Sequence, residues 1–587
     1  MKFMARPAVW LLGLVLATLA SFAQQPVNAP TIPLEELKPG QRGEVWTVFR
    51  GTEPEPFAVE VTGVVLNALG PGKSLILCEL TDPRVQKMGA VAGMSGSPLY
   101  IEGRLAGALS YQIQRFETVR FAGFTPAADL AEVQAKLGAP AALPSAAAVV
   151  TTNTDSNYKV LQPAFTLSGL SPAVTELFAP QFAALGLGVT ALGGSMNSSG
   201  NAPNASAPPL APLTPGSAVA VALATGDITL AGTGTVSRVD GNQITAFGHP
   251  MLTLGDVALP MCAAEIVTIL PSSMSSMKVA NTGRVIGTIT QDRLSAVSGT
   301  LGAGPAMTEV EVLVTSPHSA PRTLRFSVAR QQQLTPTLVA AGLTQAIVGT
   351  NDAGFSNGFR LSSNVTFSAT QTLSAQTLYS GPQGFTQGIG EFVKGLSADM
   401  QNPYEKTFPS RVSFKVEVLE KNPSITLELF HLSRTASRTG ETVQATIAWR
   451  DFQGETHREL IDIAVNPAWA GKQLELVLAP GRAMDDLTGR PRSLSASQLR
   501  SFEAYLTAMR DDRSADGLYL AVTEKASFFT DESAATPDAP GSIERIARTA
   551  DEARFRKRDA LLPLWEQRIL SGKLATATLR RSLTVLE

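Results

Sequence analysis

Short apolar runs, each closed by a Gly- or Pro-containing turn, recur along this chain and restrict it to a mainly-β fold. In the first part the runs are Glu44–Phe49, Phe57–Val65, Ser74–Leu80, Pro98–Glu102 and Arg104–Tyr111, with Glu102-Gly103 as a hairpin signal between the last two. A second group comprises Ala218–Leu223, Gly232–Val239 and Gln243–Phe247, where Asp240-Gly241 supplies a two-residue turn. It continues through Glu309–Thr315 and Thr323–Ala329. Arg411–Glu420, Ser424–Leu432, Thr442–Trp449 and Gln473–Leu478 predict strands of an antiparallel, sandwich-like module. Helical patterning is confined to Pro126–Leu137, Pro336–Val348 and Ser495–Arg510, with charged helix and a final strand near Leu574–Leu579 at the end. The 49 glycines, 38 prolines and 6% aromatics suit many short strands joined by tight turns.

A chain of 587 residues exceeds what one core supports, so several units are expected. The composition shifts divide it into a leader at 1–23, a β-unit at 24–137, and an irregular region with a Ser/Pro/Asn linker at 138–215. A second β-unit with an extension follows at 216–400, then the sandwich-like module at 401–490 and a helical or mixed region at 491–587.

Lys2 and Arg6 precede the apolar run Val9–Phe22, and Ser21-Phe22-Ala23 offers a small-x-small cleavage site before Gln24. A run of about 14 residues is short for a bilayer span, so it predicts a removable signal peptide and a periplasmic or extracellular destination. No later segment predicts a membrane helix. A net charge of −2 with 17% charged residues excludes electrostatic attraction to nucleic acid or anionic membranes. Cys78 and Cys262 could pair in an oxidising compartment, or serve as two buried small side chains. Four histidines (His249, His318, His431, His457) and no CxxC leave no spacing typical of a metal site.

The segment with chemistry is Gly93-Met94-Ser95-Gly96-Ser97-Pro98. A serine attacks an amide only when a base takes its proton and backbone N–H groups hold the oxyanion. Glycines on both sides of Ser95 allow a tight turn that converges the amides of Gly93 and Ser95 on one point, as in a trypsin-type nucleophile loop. The downstream Leu99–Gly107 reads as the strand–turn–strand that supports it. An α/β-hydrolase elbow would need Gly at position 97 and a following helix. An ordinary Gly/Ser turn would also fit these six residues.

The resemblance that discriminates is longer. Thr81-Asp82-Pro83-Arg84 through Gly93–Pro98 resembles the serine block of the SpoIVB-type sporulation serine peptidases. Gly232-Thr233-Gly234-Thr235-Val236 with Ala246-Phe247-Gly248-His249 resembles that family's histidine block, and Val285–Thr290 with Ser298-Gly299 its following segment. The likeness covers roughly residues 40–115 and 215–315. It implies two trypsin-like β-barrels, here in permuted order because the histidine block follows the serine block. It also implies Ser95 as nucleophile, His249 as general base, and Asp82 as the acid that orients the imidazole, with Asp256 and Asp292 as lesser candidates. The family's PDZ domain is not evident.

The expected activity is hydrolysis of peptide bonds through an acyl-enzyme, with no cofactor. The expected substrate is an extracytoplasmic protein, or the chain itself at the exposed small-residue linker 195–215. The alternative is an inactive envelope scaffold or binding protein on a peptidase fold. Gly186-Leu187-Gly188-Val189-Thr190-Ala191 formally fits a dinucleotide fingerprint but leads into a Ser/Asn linker, so no pyrophosphate site is expected.

Overall fold

A computed structural model of the protein describes residues 26–587 except 27, 114–118, 139–157, 162, 191–193, 196–211, 273–275, 318, 350–356, 490–500, 511, 531–534, 538–541, 543–544 and 546–555. The expected signal peptide and nearly all of the linker lie outside the described residues.

The first β-unit consists of β1 (Arg42–Thr47), β2 (Glu55–Gly70), β3 (Lys73–Leu80), β4 (Pro98–Ile101), β5 (Arg104–Ile113) and β6 (Phe121–Pro126). These six pair in the closed ring β1-β2-β3-β6-β5-β4, with β4 returning to β1. Alternating side chains point inward, so Val45, Val59, Val61, Cys78, Leu99 and Phe124 share one core.

The second unit repeats this plan. β7 (Ala218–Gly226), β8 (Thr229–Asp240), β9 (Gln243–Ala246), β10 (Gly255–Leu270), β11 (Met277–Arg293) and β12 (Ala296–Leu301) close in the ring β7-β8-β9-β12-β11-β10. Counted from each first strand, both rings run 1-2-3-6-5-4. The chain thus carries two six-stranded barrels of one topology. The mainly-β fold expected from the sequence is present.

The barrels dock edge to edge. Gly51 and Ile266 exchange both backbone hydrogen bonds, at 2.7 and 2.9 Å. Ala92 bridges in parallel to Met277. Val48, just past β1, inserts among Ala218, Ala220, Ala222, Cys262, Ala264 and Ala280 of the second barrel. These small side chains let the two walls approach closely.

Beyond the barrel the second sheet continues from β7 through Ser319–Ala329, Met307–Ser316, Arg411–Val418, Phe359–Thr366 and Thr372–Tyr379. The helices Leu334–Val348 and Gly381–Met400 pack on the large core that covers it. Arg411–Val418, expected in the sandwich-like module, instead pairs in parallel with Met307–Ser316. Its alternating pattern defined a strand but not the sheet it would join. The sandwich itself forms from Ile425–Leu432, Thr442–Asp451 and Thr456–Ala464 against a second sheet that includes Gln473–Pro480, Gly517–Thr530 and Leu579–Leu586. One core joins the two sheets.

Three further differences concern local patterns. Within the region expected to be irregular, Ala164–Ser168 is a strand paired with β8, and Pro172–Ala184 is a helix that buries Val174, Phe178 and Phe182. Near the end of the chain, Arg556–Ser571 is a long strand against Gly517–Thr530 that the sequence did not single out. Gly186 and Leu187 terminate the helix Pro172–Ala184, donating to Ala183 and Phe182 carbonyls. The dinucleotide-like segment therefore begins at the C-terminal end of a helix, whereas a phosphate-binding turn leads into a helix N-terminus. Cys78 and Cys262 are both free and buried, and burial pushes the Cys262 thiol up to about 12.

Candidate active site

Ser95 lies on the turn between the helix Pro83–Met88 and β4. Gly93 (φ 92°) and Gly96 (φ 96°) adopt left-handed conformations that disfavour side chains. Gly96 is also sterically required: a Cβ there would lie 2.0 Å from the Thr235 carbonyl oxygen and 2.4 Å from the Phe247 nitrogen. The Ser95 turn of one barrel thus rests on the backbone of the other.

The strand β8 grips this turn by its carbonyls. The Thr235 amide donates to the Ser95 carbonyl at 2.8 Å, and the Thr235 hydroxyl donates to the Gly93 carbonyl at 3.1 Å. The Ser237 hydroxyl donates to the Gly96 carbonyl at 2.7 Å. Within the turn, the amides of Met94, Gly96 and Ser97 donate to Val91, Leu109 and Met94 carbonyls. Among the described hydrogen bonds, the amides of Gly93 and Ser95 donate to no carbonyl. These are the two amides that the sequence assigned to an oxyanion.

His249 follows β9 on a strained turn. Phe247 has φ 70° and Gly248 φ 67°, and Thr253 just beyond has φ 59°. Such values in a bulky and a β-branched residue must be imposed by surrounding contacts. The Gly248 carbonyl accepts from Thr125 Oγ1 of the first barrel at 2.6 Å. On the other side, the buried Asp292 carboxylate accepts the amides of Met251 (2.7 Å), Leu252 (2.9 Å) and Leu254 (3.1 Å). Burial raises the Asp292 pKa, while backbone amides from residues 251–254 oppose that shift.

Ser95 and His249 are both fully buried. Ser95 Oγ and His249 Nε2 have no hydrogen-bond partner, so the two are not bonded to each other in this form. Catalytic hydrogen bonds of free enzymes are often long and tighten only with substrate. His249 Nδ1 lies 2.7 Å from the Pro250 carbonyl. A carbonyl can only accept, so that nitrogen carries the proton and the Nε2 lone pair is available. Burial holds the imidazole pKa down to about 4, leaving the ring neutral near pH 7.

The acids separate clearly. Asp82 caps the helix Pro83–Met88 by accepting the Arg84 amide at 2.8 Å, and its carboxylate also pairs with the Arg84 guanidinium at 3.0 Å. Those contacts lower its pKa against the opposing effect of partial burial. Its described contacts do not include His249. Asp256 is paired with Arg293 at 2.6 Å. Only Asp292 is bonded to the loop that leaves His249. Sequence reading did not single out Thr235, Ser237 or Thr125. Their hydroxyls look like ordinary strand residues until the barrels meet.

Away from this site, Asp451, Glu455 and His457 place potential ligand atoms within 4.8 Å of one another, a grouping that histidine spacing did not reveal. Asp451 Oδ1 accepts the Gln453 and Glu455 amides of the same turn, so the turn itself accounts for the cluster.

The site thus defines a class: a two-barrel β protein with a buried hydroxyl and imidazole on turns that interlock where the barrels meet. The profile of the SpoIVB peptidase S55 family matches residues 17–116. The matched stretch spans the strands of the first barrel through β5 and includes the Ser95 turn. The likeness to SpoIVB-type serine peptidases therefore holds across the serine block. No curated protein and no solved structure matches the chain.

Proposed function

We propose that the chain is an exported serine endopeptidase of SpoIVB type, working by acyl transfer at Ser95. The observation that carries this reading is the Ser95 turn: its carbonyls are held by β8 while the Gly93 and Ser95 amides are left to receive an oxyanion. His249 Nε2 would take the Ser95 proton and return it to the leaving amine. In this reading Asp292 is the carboxylate that positions the histidine, acting on the 251–254 backbone. Asp82, the acid implied by family resemblance, instead anchors the segment leading into the nucleophile turn.

Export is supported by Lys2 and Arg6 ahead of the apolar run Val9–Phe22. Among the described residues no helix is long and apolar enough to cross a membrane. The substrate on this reading is a protein outside the cytoplasm, with the chain's own 195–215 segment as a further target.

Complete burial of Ser95 and His249 favours one competing reading, a binding protein that retains the fold without turnover. A fluorophosphonate probe separates the two. Labelling of the wild type that disappears in Ser95→Ala is the expected result. Folded wild-type protein that never labels, even after long incubation with candidate substrates, would overturn the peptidase assignment.

A further inference from the structure

Lys278 is the largest unexplained expenditure of polarity near the site. It lies on β11 of the second barrel and is fully buried. Its amine donates to Thr47 Oγ1 of the first barrel at 2.8 Å and has no ion pair among the described residues. The charged groups on neighbouring strands are Arg42 and Glu44 of β1, Asp256 and Glu265 of β10, and Arg284, Asp292 and Arg293 of β11. Burial, rather than any of these charges, shifts the amine down to about 7. An unpaired buried ammonium is costly, and such a group persists where it serves the site.

Its stem shows where it acts. A Cβ on Gly93 would lie 3.1 to 3.3 Å from Lys278 Cβ, Cγ and Cδ, so the lysine stem fills the notch left by that glycine. The Lys278 amide donates to the Ala92 carbonyl at 2.9 Å, and the Ala92 amide donates to Ser276. The residue before the oxyanion-binding amide is therefore strapped to β11. The tip of the same side chain is tied to β1.

We propose that Lys278 is a positioning residue that sets the Gly93 amide of the oxyanion site, its stem bracing the turn and its amine tethered to Thr47. This rests on the peptidase reading above. The lysine does not touch the reacting atoms in this role. A displacement of about 1 Å at a catalytic group can cost around 100-fold in rate.

The test compares Lys278→Met and Thr47→Val with wild type in the full chain. Both variants preserve side-chain volume and remove the tether. Two quantities are read: the fluorophosphonate labelling rate, and hydrogen–deuterium exchange of peptides covering 89–97. The expected result is labelling slowed at least 10-fold, with faster exchange in 89–97 and no acceleration of exchange in the barrel strands. For a cleaved peptide substrate, kcat falls and KM does not. Wild-type labelling and wild-type exchange in both folded variants would overturn the proposal. So would labelling that survives in His249→Ala but is lost in Lys278→Met, which would make the lysine the base. If the wild type itself never labels, the peptidase reading fails, yet exchange in 89–97 still decides whether Lys278 fixes the turn.

Discussion

Thr235 holds Ser95 by its carbonyl: the Thr235 amide, on one barrel, donates at 2.8 Å to the residue proposed to carry the nucleophile on the other. The same Thr235 accepts the Phe247 amide at 3.2 Å, two residues before His249. One strand residue thus registers both candidate reacting groups. Their relative placement is as rigid as the docking of the barrels, which the following predictions probe.

Gly96→Ala should separate the barrels at the site. The new methyl would meet the Thr235 carbonyl oxygen at 2.0 Å and demand a left-handed alanine as well. Gly103→Ala is the control, since its φ is also positive (75°) but nothing lies within 4 Å of the added carbon. The control should lose about 1 kcal/mol, while Gly96→Ala should lose several and abolish labelling. Denaturant unfolding of both variants checks this.

Asp292→Asn should loosen the His249 turn while keeping its shape. An amide nitrogen would face a backbone N–H where a carboxylate oxygen now accepts. Leaving a buried donor unpaired costs about 1–3 kcal/mol. The expected outcome is lowered stability and labelling slowed at least 10-fold. Asp82→Asn should keep the cap, since an amide oxygen still accepts the Arg84 amide, and weaken only the partly exposed ion pair, at about 1 kcal/mol or less, with labelling largely retained. Equal loss in both variants would refute this ranking.

Stability should decline in acid because of His249. Its folded-state pKa of about 4 lies below the ordinary value of 6.5, so between those values the unfolded chain binds the extra proton. The destabilisation begins as pH falls below about 6.5 and is complete below about 4, amounting to roughly 3 kcal/mol. Melting curves of wild type and His249→Gln from pH 8 to 4 should converge toward acid, since the variant lacks this liability.

Lys278 should behave alike at higher pH. Its folded pKa of about 7 lies below 10.5, so wild-type stability is highest above pH 10 and falls as pH drops toward 7. Lys278→Met should therefore be more stable than wild type by a few kcal/mol at pH 7, and the gain should vanish above pH 10. A less stable variant at pH 7 would contradict the environment described for the amine.

Five strands of the first barrel and the first three of the second were legible because each is a short apolar run bounded by turn residues, a signal local to the chain; Phe121–Pro126, Ala296–Leu301 and the long bulged pair β10 and β11 were not. The serine turn was legible too, since glycine at 93 and 96 marks left-handed backbone. Which carboxylate bonds the backbone that leaves His249 was not. Asp82 stands 13 positions before Ser95 in a block that resembles the family, whereas Asp292 reaches the 251–254 amides only after β10 and β11 fold back. The helix Pro172–Ala184 was hidden by its Ala-rich, Pro-containing sequence, which resembles linker until Phe178 and Phe182 find a core. Lys278 carried no local sign at all. In sequence it is one basic residue between methionine and valine, and only the meeting of two barrels buries it.

The bonds that assemble the site run between the barrels through space, from Thr235 to Ser95, Thr125 to Gly248 and Lys278 to Thr47. None of them depends on the covalent path through residues 196–211. A chain nicked there would keep every one of these contacts and persist as a two-piece molecule with the Ser95 and His249 turns still joined.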